Sequence, residues 1–420
     1  MKVTAVRTHV VSCKVDRPFT SARGWLYTTR SSCLVEIETD EGVVGWGECY
    51  GPAAALKAVV DTMLAPRVIG RDPFDVGVTW EDLYNRVKDY GLTGLSVAGI
   101  SGIDIALWDV IGRALGKPIH KLIGGAHRTE LLAYATGLYF IDHDRLIEEA
   151  VEEANAYAVQ GFRAIKMKIG VGDLKTDAAR VAAVRQTIGP DIQLAVDANH
   201  CFSVPNAIRL GRMLEAHDIL WFEEPISPED RKGYVEVTRA LDMAVAGGEN
   251  EFTRWGFRDI VAEKAMDIVQ PDLCAAGGFS ECLKIAALAS AHGVECVPHA
   301  WGSAIGLAAT VQFLAALPAL GLGFGLQHVL AQMVLHHLRR QPAHRAAGRG
   351  QLAQDLAAGP LGLQRALDPL DLAPEAADPG DQLLLVADGV GHGGGGKSHI
   401  AQSIGHRACM AGHRTLYVTA

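Results

Sequence analysis

The sequence has no C-x-x-C pair, no excess of basic charge and, over residues 327–380, almost none of the residues that give a core its shape. Its eight cysteines (Cys13, Cys33, Cys49, Cys201, Cys274, Cys282, Cys296 and Cys409) are scattered, which excludes a structural zinc site of the usual spacing. In a chain of 420 residues they read as reduced, mostly buried thiols of a cytoplasmic protein. A formal net charge of −9 leaves no basic face for nucleic acid. The first residues, Met1 to Arg7, lack the apolar run of a secretory leader and read as a strand. Residues 300–327 carry no charge at all, but Ser303, Thr310, Gln312, Pro318 and several glycines interrupt them. A membrane span needs about 20 predominantly apolar residues, so the expectation is a helix followed by an irregular junction. Residues 327–380 contain no Ile, Phe, Tyr, Trp, Lys, Ser, Thr, Asn or Cys, too narrow a set to pack a specific core.

What is present is ordered. Residues 33–39 alternate at period two, Asp40-Glu41-Gly42 makes a turn, and 43–48 return, a hairpin pattern. Apolar positions from Leu95 to Leu115 recur at helical spacing, and Gly116-Lys117-Pro118 ends them. From residue 131, short apolar strands at 132–135, 164–168, 194–197, 219–223, 245–249, 268–272 and 294–299 alternate with helical stretches. This alternation indicates βαβ units and a parallel sheet. A seventh helix is expected over 303–317, and an eight-stranded barrel needs one strand more. The expected class is therefore α/β, with an α+β unit before a TIM-like (β/α) barrel that lacks its eighth strand. The boundaries expected are 1–125, 126–318 for the truncated barrel, 319–380 for a junction and 381–420 for a separate fragment.

The chemistry-bearing residues sit where these strands end. Asp197, Glu223 and Glu249 follow one another at 26-residue intervals, one βα repeat each. One such acid would pass as a solvated loop charge. Three at successive strand ends converge on the face where barrel active sites lie, and they need a hard divalent cation, Mg²⁺. Lys166 and Lys168 close the second strand and, by alternation, share one side of it. A lysine beside a bound metal loses pKa and becomes a base near neutrality. Asp272 and His299 close the sixth and seventh strands, and an aspartate on one imidazole nitrogen raises the basicity of the other.

The ordered series Lys166-Met167-Lys168, Asp197-Ala198-Asn199-His200, Trp221-Phe222-Glu223-Glu224-Pro225, Gly247-Gly248-Glu249, Gln270-Pro271-Asp272 and Pro298-His299 resembles the mandelate racemase subgroup of the enolase superfamily. Gly45-Trp46-Gly47-Glu48 and the run from Ser101 to Asp109 resemble its capping domain, so the likeness spans about residues 1–318. Within the subgroup, the segments 245–249 and 270–280 look most like galactarolactone cycloisomerases, with acid-sugar dehydratases as near neighbours. The resemblance implies Mg²⁺ on Asp197, Glu223 and Glu249, with Lys168 and the His299–Asp272 dyad flanking the substrate α-carbon. It also implies that Lys166 neutralises the substrate carboxylate, and that residues 20–30 and 50–54 are specificity loops. The partner would be a small acid sugar or its lactone, with no nucleic acid and no membrane, and a homo-oligomer is left open.

Two departures stand out. After Leu317-Pro318 no Leu-Glu-Phe/Tyr-Asp type signature of the family's eighth strand follows. A barrel short of one strand exposes two edges. In the tail, Gly391, Gly396, Lys397 and Ser398 fit G-x-x-x-x-G-K-S between an expected strand and helix. That run resembles the ATP-binding helper proteins of bacterial insertion sequences, although no acidic strand for Mg²⁺–ATP hydrolysis follows. A catalytically inactive fusion, joined near residue 318 and carrying a P-loop remnant, is therefore the alternative to an active enzyme.

Overall fold

Period-two alternation builds an antiparallel sheet first. In the computed structural model, residues 1–318 apart from Arg23 are described, together with the backbone of 330–334, 384–386 and 415–417. β1 (Val3–Thr20), β2 (Leu26–Thr39) and β3 (Val44–Cys49) lie in that order, with Cys33 opposite Cys49 and Val35 opposite Gly47. The turn at 40–42 closes on Gly42 at φ 75°, a conformation that suits glycine. The sheet is covered by α1 (Ala53–Val59), α2 (Ala65–Val68), α3 (Val76–Val87) and α4 (Leu95–Leu115), with a single π-helical turn, Val60–Leu64, between the first two. α4 ends as expected at Gly116, in the left-handed conformation. A Cβ on Gly47 would overlap the carbonyl of Gly102, so β3 lies against α4 at a distance only two glycines permit. Among the described residues α4 alone is long and apolar enough to cross a membrane, and 83% of that stretch is buried inside the protein. The short α5 (Ile119–Leu122) leads out of this capping unit.

The βα alternation then runs as the sequence suggests. β4 (Leu132–Gly137), α6 (Leu146–Val159), β5 (Ala164–Lys168), α7 (Leu174–Ile188), β6 (Gln193–Asp197), α8 (Val204–Leu214) and β7 (Ile219–Glu223) make the first half. α9 (Arg231–Ala240), β8 (Val245–Gly247), α10 (Thr253–Ala262), β9 (Ile268–Val269), α11 (Gly278–Ala291), β10 (Glu295–Cys296) and α12 (Ala304–Ala316) complete it. All the pairings among these strands are parallel, and the seven neighbouring strands curl into a half-barrel.

Three strands are shorter than expected. β8 stops at Gly247 because Gly248 turns away at φ 107°, and β9 stops before Pro271, which has no N–H for the ladder. β10 covers only two residues, so Glu249, Asp272 and His299 lie on the loops just past their strands. Beside β4, at the edge left open by the sequence reading, lies β11 (Leu330–Val334), parallel and in continuous register from Leu330–Leu132 to Val334–Thr136. No ladder among the described residues joins β11 to β10, so the sheet stays open between them. The short strands β12 (Leu384–Val386) and β13 (Thr415–Tyr417) form a separate parallel pair.

The interior explains why the site sits at one end. Inward-facing Tyr134, Ala164, Ala195, Trp221, Ala246, Ile268 and Val297 form one buried layer in which two large rings fill the space left by alanines. Tyr134 and Trp221 meet edge to face with centroids 5.6 Å apart. This apolar floor leaves the next inward positions toward the strands' C-terminal ends for the polar residues.

Candidate active site

Register places the first group. Lys168 pairs with Asp197, and Asp197 pairs with Glu223, across three adjacent strands. Lys166 and Lys168, two residues apart on β5, both reach inward: each has its Nζ on Asp197 Oδ2, with Lys166 at 3.4 Å, and Lys166 also donates to Glu223 Oε1. All four side chains are buried.

Each of the two acids has one oxygen already fixed by neutral donors. Glu223 Oε2 accepts from Trp221 Nε1 and from Gln270 Nε2, both at 2.9 Å. Asp197 Oδ1 accepts from the Asn199 amide at 2.9 Å. The remaining oxygens, Glu223 Oε1 and Asp197 Oδ2, turn toward the same cationic centre. Burial works against the Lys166 ammonium, but Glu223, assisted by Tyr134, Asp197 and Glu249, outweighs it and holds its pKa well above the ordinary value. Burial opposes Lys168 too, and Asp197 overcomes it, so this lysine is held as an ammonium. Burial would raise Asp197, yet the two lysines hold it below the usual carboxylate range.

The second group lies across the mouth. His299 Nδ1 is 2.7 Å from Asp272 Oδ2, and its Nε2 is 3.2 Å from Glu249 Oε2. Asp272 is steadied by the Cys274 amide at 2.7 Å. Burial lowers the imidazole pKa, but Glu249 and Asp272 more than restore it, so it lies above the ordinary value. The ring of Tyr50, from the capping unit, stands edge-on to His299 at 5.7 Å.

The sequence-predicted residues thus fall into two clusters, Lys166, Lys168, Asp197 and Glu223 on one side and Glu249, Asp272 and His299 on the other. Among the described residues no three His, Cys, Asp or Glu side chains meet closely enough to hold a metal ion as placed. The donor set nevertheless suits a hard cation: carboxylate oxygens only, two of them pre-aimed at one point that an ammonium now shares. Charge argues the same way, since Asp197, Glu223, Glu249 and Asp272 face two lysines. A further buried acid, Glu224, is pushed well above the carboxylate range by burial, and Asn250 Nδ2 donates to it at 2.7 Å. Lysine as base, expected from the sequence, requires that Asp197 first be engaged by something other than Lys168.

The capping unit completes the walls. Thr20 and Phe140 exchange backbone hydrogen bonds of 2.8 and 3.2 Å, tying the β1–β2 hairpin to the exit of β4. Phe19 packs on Tyr139 at 4.6 Å, and Tyr27 and Tyr139 both flank Trp301. The Arg30 guanidinium lies 3.9 Å over the Trp301 ring and donates to its carbonyl. A cleft of 680 Å³ lined by Ala22, Gly170, Cys201, Asn206 and Arg209 opens beside the ends of β5 and β6. Glu48, at the end of β3, accepts from the Ser303 amide and hydroxyl and from the Gly306 amide, so an acid of the cap closes the first turn of α12. The sequence alone gave Glu48 no partner. The expected phosphate-binding residues Gly391, Gly396, Lys397 and Ser398 lie outside the described residues.

Both parts of the chain match families of known proteins. Residues 3–124 match the mandelate racemase / muconate lactonizing enzyme N-terminal domain, and 149–354 match the enolase C-terminal domain-like family. The second match continues past Pro318, where the sequence reading ended the resemblance. D-galactarolactone cycloisomerase of Agrobacterium fabrum is 47% identical over 318 residues, covering 76% of this chain and 83% of that protein. The crystal structure of 3,6-anhydro-D-galactonate cycloisomerase from Zobellia galactanivorans superposes with a TM-score of 0.72 at 39% identity, over 82% and 89% of the two chains. A racemase from Streptomyces coelicolor with bound magnesium gives a TM-score of 0.72 at 31% identity, over 80% and 89%.

Proposed function

Because this chain belongs to the mandelate racemase / muconate lactonizing enzyme family of the enolase superfamily, we propose that it opens an acid-sugar lactone, of the galactarolactone class, by β-elimination. The observation that carries the reading is that Lys168, at the end of β5, and His299, just past β10, are each buried and each held by a carboxylate of its own.

Asp197, Glu223 and Glu249 would hold a Mg²⁺ ion. When bound, the ion would supply a Lewis acid for the substrate carboxylate, on which negative charge grows as the α-proton leaves. Lys166 would neutralise that carboxylate from the floor of the site. Lys168 and His299 would face the α-carbon from opposite sides, one as base and the other as acid. Lys168 serves as a base in the state in which Asp197 is engaged elsewhere. Asp272 holds the His299 ring by its Nδ1, which leaves Nε2 for the proton.

The balance of the step is simple. The α C–H electron pair becomes the Cα=Cβ bond, the bond from Cβ to the lactone ring oxygen breaks, and that oxygen leaves with its pair. The enol then ketonises, a proton returning to Cβ. Phe19, Tyr27, Tyr139 and Trp301 would exclude water from the sugar and shape its approach. We place the enzyme in the cytoplasm, where its free thiols stay reduced.

The test is product analysis by NMR in D₂O with Mg²⁺, on galactarolactone and on free aldarates. An open-chain keto acid from the lactone, labelled at Cβ, is expected. Turnover of free acid sugars with none of the lactone would replace this reading with a dehydratase.

A further inference from the structure

One buried charge near the site has no part in the chemistry above. Arg180, on α7, is 1% exposed. Burying a guanidinium is costly unless its donors are satisfied. Here they are spent on main-chain carbonyls of three segments: Nη1 donates to Lys168 O at 2.8 Å, Nη2 to Leu138 O at 3.3 Å, and Nε to Leu146 O at 3.0 Å. The guanidinium also lies 4.7 Å from the Phe140 ring centroid.

These segments are the exits of β4 and β5 and the start of α6. Leu138 sits at φ 54°, a conformation leucine adopts only when its surroundings enforce it. One turn before Arg180 on the same helix face, buried Asp177 accepts from the Gly170 amide at 3.0 Å. So α7 grips the backbone on both sides of Ile169, whose own amide donates to Asp197 O at 2.9 Å. The β5 exit is therefore fixed from α7 on one side and from β6 on the other.

We propose that Arg180 is a positioning residue for Lys168: its planar fork holds the β5 exit so that the lysine side chain projects at the angle proton transfer needs. The proposal rests on the role given to Lys168 above. A lysine at 180 would keep the charge but offers one point of donors where three carbonyls in different directions must be met.

The experiment uses the full chain with Mg²⁺ and compares wild type, Arg180→Lys and Lys168→Ala for turnover of galactarolactone and for α-proton exchange in D₂O. In Arg180→Lys, kcat and the exchange rate should both fall by about 10- to 100-fold, the scale of a small misplacement of a catalytic group. KM should stay within about threefold, because the substrate's other contacts are untouched. Near-UV circular dichroism identical to wild type shows that the fold is kept. If Arg180→Lys does not melt cooperatively, Arg180→Gln, which keeps a neutral N–H donor, takes its place under the same expectations. A folded variant with wild-type kcat and exchange, whatever its Tm, overturns the positioning role alone. Exchange in Lys168→Ala equal to wild type overturns the Lys168 role and this inference with it.

Discussion

The hydroxyl of Ser303 donates to Glu48 Oε2 at 2.7 Å, so a carboxylate of the capping sheet terminates a helix of the barrel. The two amides that Glu48 also accepts, from Ser303 and Gly306, have no other acceptor in that turn. Glu48→Ala should therefore cost about 2–3 kcal/mol, the sum of a lost cap and buried N–H groups left unpaired. Urea denaturation followed by tryptophan fluorescence measures it. An unchanged midpoint would show that water replaces the carboxylate without loss.

The convergence of Asp197 Oδ2 and Glu223 Oε1 on one point predicts linkage between metal and stability. Mg²⁺ at a hundredfold excess over its Kd should stabilise wild type by about 2.7 kcal/mol. The double variant Asp197→Asn, Glu223→Gln should lose this response, and it should start from a lower Tm because buried Lys166 and Lys168 lose their carboxylate partners. Melting curves with Mg²⁺ and with a chelator decide the matter. Equal shifts in both proteins would place the ion elsewhere.

Lys168→Ala and His299→Ala should each lower kcat by about 10²- to 10⁴-fold, the range for loss of a general acid or base. Asp272→Asn should resemble His299→Ala, because the imidazole then loses the acceptor that orients it. Steady-state kinetics on purified variants checks this. Retained turnover in His299→Ala would mean that Lys168 works unopposed.

Asp104 of α4 gives a pH dependence of a definite sign. Burial pushes its carboxyl from 3.8 up to about 7, although Ser280 donates to one of its oxygens. Between those values the folded chain holds a proton that the unfolded chain has lost, so stability contributed at this position falls as pH rises from 3.8 to about 7. Asp104→Asn should flatten the Tm profile across that window. Parallel profiles for the two proteins would refute the assignment.

Much of this was readable from the chain. The hairpin at 33–48, the helix ending at Gly116 and the seven parallel strands follow local periodicity and turn residues, signals that short segments carry by themselves. Asp197 and Glu223 were legible as neighbours because a βα repeat converts even spacing into adjacent strand ends. What stayed hidden depends on contacts between distant segments. Nothing local marks Arg180 as buried, pairs Glu48 with α12, or turns Glu249 toward His299. The lengths of β8 and β9 were overestimated because Gly248 and Pro271 end the ladder while the apolar pattern runs on. The strand Leu330–Val334 was missed because its sequence lacks the acidic signature looked for at that place.

The glycine contact between β3 and α4 reaches further than the cap it belongs to. Residue 47 directly precedes the acid that docks on α12, and α12 begins at Ala304, five residues after His299. A single methyl at position 47 would lever the sheet outward, drag its neighbouring carboxylate off the helix start and tilt the wall behind the imidazole. The wall behind His299 thus rests on a gap, in another part of the molecule, wide enough for a hydrogen atom and nothing larger.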